Sequence, residues 1–269
     1  MVEFAFQISN IKMSKESINP LVKEYWEAQP CGTETAIFGE TSTHTKEWFE
    51  IMENYRYEIE PFIHSVAQFT RHNGKRILEI GVGAGTDHLQ WARAGVELYG
   101  VDLTDAAIDV TARRLAVYGL SSNLKQVDAE VLPFEDNSFD VVYSWGVIHH
   151  SEKPEAIIKE IKRVLRPGGE FIGMFYNRRS LAGIVAWLKF ALLKGKPWRS
   201  ISYVLYHYNE SIGTKAYTNA ELKDIFKDFS AVKITPFVTI SDYTYLPKFL
   251  KYVIPPSFGY YSGIKAKIN

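Results

Sequence analysis

Glu79 stands two residues before Gly81, Gly83 and Gly85 in the stretch Arg76-Ile-Leu-Glu-Ile-Gly-Val-Gly-Ala-Gly-Thr86. Glycines separated by single residues let a backbone turn tightly and approach a ligand closely. A dinucleotide turn of the form G-x-G-x-x-G would need a third glycine where Thr86 stands. Glu79 also repels phosphate and suits a cationic ligand, so the spacing argues against a nicotinamide oxidoreductase. Asp102 and Asp128 each follow an expected strand, where a carboxylate can accept hydroxyl or amino hydrogens from a bound ligand. The pair His149-His150 can do proton chemistry, since an imidazole of pKa near 6.5 takes a proton from a hydroxyl or an acidic carbon at neutral pH. The same two rings can instead order their loop through backbone hydrogen bonds. No carboxylate sits at supporting spacing for a metal, and Cys31 is the only cysteine, so zinc and iron–sulfur sites are not expected.

The elements that must position these residues read as alternating strands and helices from Lys75 onward, the pattern of a doubly wound parallel sheet. Strands are expected at Ile77 to Ile80, Val96 to Val101, Asn123 to Val127, Phe139 to Ser144 and Glu170 to Tyr176. Helices are expected at Asp87 to Ala94, Thr104 to Tyr118 and Lys153 to Leu165, with Gly95 and Gly119 ending the first two. Asp87 suits the positive end of its helix dipole, and a role near the ligand is a second reading. Before this region, Trp48, Met52, Tyr55 and Ile59 recur at helical spacing from about Thr45 to His72, with a break near Pro61. Residues 1 to 24 show no clear period and read as an arm. After Asn177 the alternation stops until the capping box Thr218-Asn-Ala-Glu221, which opens a helix to Phe229, followed by strands at Val232 to Thr239 and Gly263 to Ile268. Residues 178 to 217 interrupt the alternation, and the resemblance given below makes them an insertion. The apolar stretch Ser180 to Leu193 is shorter than the ~20 residues of a membrane span and contains Lys189.

The glycine segment resembles motif I of the class I S-adenosylmethionine-dependent methyltransferases, E-x-G-x-G-x-G, whose cofactor carries a sulfonium and an ammonium. Leu98-Tyr-Gly-Val-Asp102, Asp128-Ala-Glu-Val-Leu-Pro-Phe134, Phe139-Asp-Val-Val-Tyr-Ser-Trp-Gly-Val-Ile-His-His150 and Val164-Leu-Arg-Pro-Gly-Gly-Glu-Phe171 resemble the later motifs of that family, in order. Within it the chain most resembles the ubiquinone and menaquinone methyltransferase-like group. The resemblance implies a Rossmann-like seven-stranded sheet whose last strand is antiparallel and lies between the fifth and sixth. It further implies S-adenosylmethionine held by Glu79, Gly81, Gly83, Gly85 and Thr86, by Asp102 and Leu103 at the ribose, by Asp128, Ala129 and Glu130 at the adenine, and by Trp145 and Gly146. His149 and His150 would then lie beside the reacting methyl group as candidate catalytic residues.

The 31 basic and 31 acidic residues of this 269-residue chain cancel, leaving no overall electrostatic footprint for nucleic acid or for an anionic membrane. A single cysteine and no signal-peptide pattern fit the cytoplasm. We expect residues 1–72 to form an arm and helical cap and residues 73–269 the cofactor-binding domain, with the 178–217 insertion as a substrate lid. The aromatic content of cap and insertion suits a small-molecule acceptor such as a phenolic, quinone-like or other secondary metabolite. A non-catalytic or regulatory cofactor-binding protein of the same fold is the alternative. The oligomeric state, homodimer included, stays open.

Overall fold

A computed structural model describes residues 17–33, 41–244 and 253–269. Seven strands form one sheet in the order β3-β2-β1-β4-β5-β7-β6. They are β1 (Arg76–Ile80), β2 (Glu97–Asp102), β3 (Asn123–Gln126), β4 (Phe139–Trp145), β5 (Leu165–Tyr176), β6 (Ser230–Phe237) and β7 (Tyr261–Lys267). The first five are parallel, and β7 runs antiparallel to both β5 and β6, where the resemblance placed the last strand.

Alternation along the central strands explains the layering. Leu78, Ile80 and Val142 face one side and pack with Ile157, Ile161, Phe171, Leu222 and Phe226. Ile77, Val141 and Tyr143 face the other and pack with Ile63, Phe69, Trp91 and Ile172. Because successive side chains on a strand point to opposite faces, these runs of apolar residues require a cover on both sides. The covers are α4 (Thr86–Arg93), α5 (Asp105–Val117), α6 (Pro154–Val164) and α9 (Asn219–Ile225) within the alternating region. Thr104 caps α5 by accepting from the Ala107 N–H at 3.3 Å, and the Thr218–Glu221 capping box opens α9 as predicted.

The helical reading of residues 45 to 72 resolves into α2 (Lys46–Ile59), capped by Thr45, and α3 (Phe62–Ala67), followed by a 3₁₀ turn Phe69–His72. Pro61 separates the two helices where the break was expected. Other helices outside the alternating region differ from the sequence reading. Residues 1 to 24 read as an arm, yet α1 spans Asn19–Ala28, with Pro20 in its first turn, and buries Asn19 and Val22. Part of that arm, residues 1–16, lies outside the described residues. Within the insertion, α7 (Leu181–Phe190) is followed by α8 (Ile201–Tyr208), in a region where no regular helix was read before Thr218. Serines start both, Ser180 accepting from the Gly183 N–H and Ser200 from the Tyr203 N–H. A last short helix, α10 (Ile240–Tyr243), follows β6. Among the described residues no helix is long and apolar enough to cross a membrane.

Candidate cofactor site at the carboxyl ends of the parallel strands

The glycine turn joins β1 to α4, and all three glycines adopt positive φ. Gly81, at φ 79°, has a second constraint: a Cβ there would lie 2.2 Å from Val147 Cγ2. Asp102, at the end of the neighbouring strand β2, ties the turn down. One carboxylate oxygen accepts the Gly83 N–H at 3.1 Å, and the other accepts the Thr104 N–H and hydroxyl at 3.0 and 2.8 Å. Burial raises the Asp102 carboxyl above its usual range, and these donors pull it back. Its orientation is thus fixed before any ligand arrives. Thr86 is buried, its hydroxyl accepting from the Arg114 guanidinium.

Glu79 is engaged from α4. Its Oε2 lies 2.9 Å from His88 Nδ1, and His88 Nε2 lies 2.9 Å from Ser122 Oγ. Burial pushes the Glu79 carboxyl well up, reinforced by Asp87 and Asp102, and pushes His88 down to about 3. Both shifts favour a neutral pair sharing one proton over an ion pair. Glu79 therefore builds the wall beneath the turn.

At the end of β3, Asp128 Oδ1 accepts the Glu130 N–H at 3.0 Å, an arrangement that fixes the loop Asp128-Ala129-Glu130. The side-chain amide of Asn19 on α1 donates to Asp128 Oδ2 at 3.0 Å and to Glu130 Oε1 at 2.8 Å. Its carbonyl accepts the Glu152 N–H at 2.9 Å. Farther along α1, Glu27 accepts the first N–H groups of α5, from Asp105 and Ala106, and the Cys31 carbonyl accepts the Ala84 N–H of the glycine turn at 3.3 Å. The first described segment is consequently a strap across the strand ends. Neither Asn19 nor Glu27 carries a local sequence signal for this role, because their partners are about 80 to 130 residues away.

A buried polar network joins α2 to the sheet. Arg56 donates to Glu60 and Asp87, each at 3.0 Å, and Asp87 also accepts the hydroxyls of Tyr57 at 3.0 Å and Tyr143 at 2.7 Å. Glu60 accepts the Trp145 indole N–H at 2.8 Å. Burial opposes charge on Arg56 and Asp87, but their mutual attraction and hydrogen bonds hold the guanidinium up and the carboxyl down. Trp145 is thereby held edge-on by its indole nitrogen in the core, stacked near Tyr143, while Gly146 turns at φ 79° beside Met174. Asp87 thus has a stronger structural role than its place at a helix start suggests.

The loop after β4 holds His149 and His150 in a short 3₁₀ turn, and both are buried. His150 Nδ1 lies 2.9 Å from Ser211 Oγ and 3.1 Å from Thr214 Oγ1, with Nε2 3.3 Å from Glu210 Oε2. Trp26 of α1 packs edge-on against its ring, centroids 5.4 Å apart. The His149 ring lies 4.0 Å from that of Tyr176, and neither of its nitrogens has a hydrogen-bond partner among the described residues. Burial, with help from His150 and Lys215, drives its pKa well below the usual value, so His149 is neutral. Tyr176 donates to both carboxylate oxygens of Glu210 at 3.0 and 2.9 Å. Glu210 itself sits at φ 52°, a left-handed conformation that costs a non-glycine residue about 1–2 kcal/mol. Tyr176 and Glu210 escaped the sequence reading, being 26 and 60 residues beyond His150.

The motifs thus converge on the carboxyl ends of β1 to β4, where open α/β sheets bind ligands. Residues 78–173 match the family model described as a methyltransferase domain. The chain's Rossmann-like sheet is similar in fold to those of solved methyltransferases. A probable phthiotriol/phenolphthiotriol dimycocerosates methyltransferase of Mycobacterium ulcerans is 39% identical over 110 residues, 40% of this chain and 42% of that protein. The ubiquinone/menaquinone biosynthesis C-methyltransferase of Azotobacter vinelandii is 35% identical over 115 residues, 40% of this chain and 45% of that protein. The chain therefore spans less than half the length of these two curated relatives. Among solved structures, magnesium protoporphyrin IX methyltransferase from Synechocystis, with bound SAH, shares the fold at TM-score 0.60 and 16% identity, over 93% of this chain and 99% of that one.

Proposed function

We propose that the protein transfers a methyl group from S-adenosylmethionine to a small-molecule acceptor. The observation that carries this reading is the fixed placement of Asp102 beside the glycine turn, with Asp128 at the adjoining strand end, inside the segment that matches the methyltransferase domain. The residues fit the donor's chemistry. Asp102 and Asp128 stand at the strand ends, and Arg56 near the turn is already paired with Asp87 and Glu60. A sulfonium and an ammonium are welcome there; a pyrophosphate is not.

In this reading Asp102 accepts from the ribose hydroxyls and Asp128 from the adenine amino group, the bond that Asn19 supplies in the present arrangement. Leu103, Ala129, Glu130 and Gly146 complete the walls. The sulfonium supplies an activated methyl with a neutral leaving group, so the chain's main task is alignment and exclusion of water. His149 and His150 receive a proton where the acceptor must lose one. The His149 nitrogens are free of protein partners among the described residues, but the burial that keeps the ring neutral also opposes its taking up a proton. Tyr176, Tyr260 and Trp26 give the adjoining space aromatic walls, and the 178–217 insertion forms its lid. Such walls favour a flat or apolar acceptor, of the phenolic or quinone-like kind.

Calorimetric titration of S-adenosylmethionine into the wild type and Asp102→Ala tests the assignment. Loss of charged hydrogen bonds predicts affinity lower by about 10- to 100-fold. Tight binding unchanged by the substitution sinks it, and absence of labelled methyl transfer to any of a panel of phenols, quinols and fatty acids sinks the catalytic half.

A further inference from the structure

We propose that the α7–α8 hairpin docks the protein reversibly on the surface of a bilayer containing anionic lipid. The overall neutrality of the chain conceals a local excess. Between residues 178 and 209 stand Arg178, Arg179, Lys189, Lys194, Lys196 and Arg199 and not one Asp or Glu, so the rest of the chain carries the balancing acidic surplus. Among the described residues, none of Lys189, Lys194, Lys196 and Arg199 forms an ion pair.

Within the same turn lie Leu193 and Trp198, 79% and 76% exposed, the two most exposed large apolar side chains among the described residues. Leu188 and Leu192 add exposed apolar surface beside them. The turn is built to hold this shape. The Lys196 N–H bonds back to the Ala191 carbonyl and the Gly195 N–H to the Leu192 carbonyl, with Gly195 at φ 66°, the pattern of a Schellman motif. The Trp187 indole donates to the Arg199 carbonyl at 2.6 Å, and Arg199 lies 4.8 Å from the Tyr203 ring and bonds to the Tyr208 hydroxyl. Two apolar tips are thus presented on a rigid base among cations.

That combination fits a membrane interface better than a protein. Lys and Trp are what bilayer interfaces gather, the long Lys stems lying along acyl chains while their heads reach anionic headgroups. Protein interfaces exclude Lys from their centres. A two-fold contact with a second copy through this face would set its cations against themselves.

The test is co-sedimentation of the full chain with vesicles of phosphatidylcholine alone and of phosphatidylcholine mixed with phosphatidylglycerol. It reads neither cofactor binding nor turnover, so it stands or falls apart from methyl transfer. Binding to the mixed vesicles, little to the neutral ones, and weakening with salt are expected. Lys194→Ala with Lys196→Ala lowers partitioning on the order of thirtyfold, and Leu193→Ser with Trp198→Ser about tenfold or more. Unchanged thermal melting shows that these surface variants fold. Equal binding to both vesicle types, or variants that bind like the wild type, overturn the proposal. Binding that needs the lysines but ignores Leu193 and Trp198 also overturns it, in favour of an acidic protein. Self-association in sedimentation velocity that the same variants abolish overturns it in favour of a second copy.

Discussion

The Asn19 side chain of α1 donates one amide group to both Asp128 and Glu130, at 3.0 and 2.8 Å, spanning the end of β3 from outside the sheet. Asn19 is the only side chain of α1 described as bonding to that loop, so it latches the strap over the proposed adenine position. Replacing it by aspartate sets a third carboxylate against two. We expect Asn19→Asp to weaken docking of α1 by about 1–3 kcal/mol, the scale of a lost charged hydrogen bond. Trypsin cleavage after Lys23 should accelerate while the unfolding midpoint of the sheet changes little; unchanged cleavage would show that α1 is held elsewhere.

Gly81 tests the turn. Alanine there meets Val147 at 2.2 Å and must hold φ 79°, so steric and conformational costs add. Gly81→Ala should destabilise the protein by about 3 kcal/mol in urea unfolding. Adding Val147→Ala should recover the steric share and leave the conformational one.

Arg56 pairs with two buried carboxyl groups at once. Arg56→Met should cost about 3–5 kcal/mol, because Asp87 and Glu60 remain buried without a counter-charge. A second change, Asp87→Asn, should restore part of the loss; further loss instead would mean that Asp87 matters chiefly through Tyr57 and Tyr143.

His149 gives the fold an acid-side dependence on pH. Its folded pKa is depressed, so its contribution is present above the unfolded value near 6.5 and is lost as pH falls towards the folded value. Between about pH 7 and about pH 5.5 the unfolded chain binds the extra proton, and stability should drop by ~1 kcal/mol from this ring. Urea unfolding of His149→Phe across this window should show a shallower slope by up to one proton; an unaltered slope would reassign the dependence.

The alternating core and its motifs were legible because their signals are local. Leu78 and Val142 lie in apolar runs that only a sheet covered on both faces can bury, and Thr218 with Glu221 announces α9 within four residues. The strap was not legible, since α1 turns inward only Asn19 and Val22, one of them polar. Nor was α8, whose short run is dominated by aromatic residues of weak helix preference. At the site, Asp102 and the glycines could be placed from motif spacing, whereas Asn19, Arg56, Tyr176 and Glu210 act across long sequence separations. Global charge misled in one respect: a sum of zero hid the cationic hairpin.

The position of β7, between β5 and the edge strand β6, carries a consequence for how the chain assembles. β6 pairs with β7 alone among the described strands, and β5 has β7 on one side. During synthesis β6 leaves the ribosome before the strand that must join it to the sheet. Until β7 emerges, the Phe171 to Phe175 strand presents an open edge, and such an edge invites pairing with another nascent chain. The step most open to mispairing is therefore the insertion of β7 between β5 and β6.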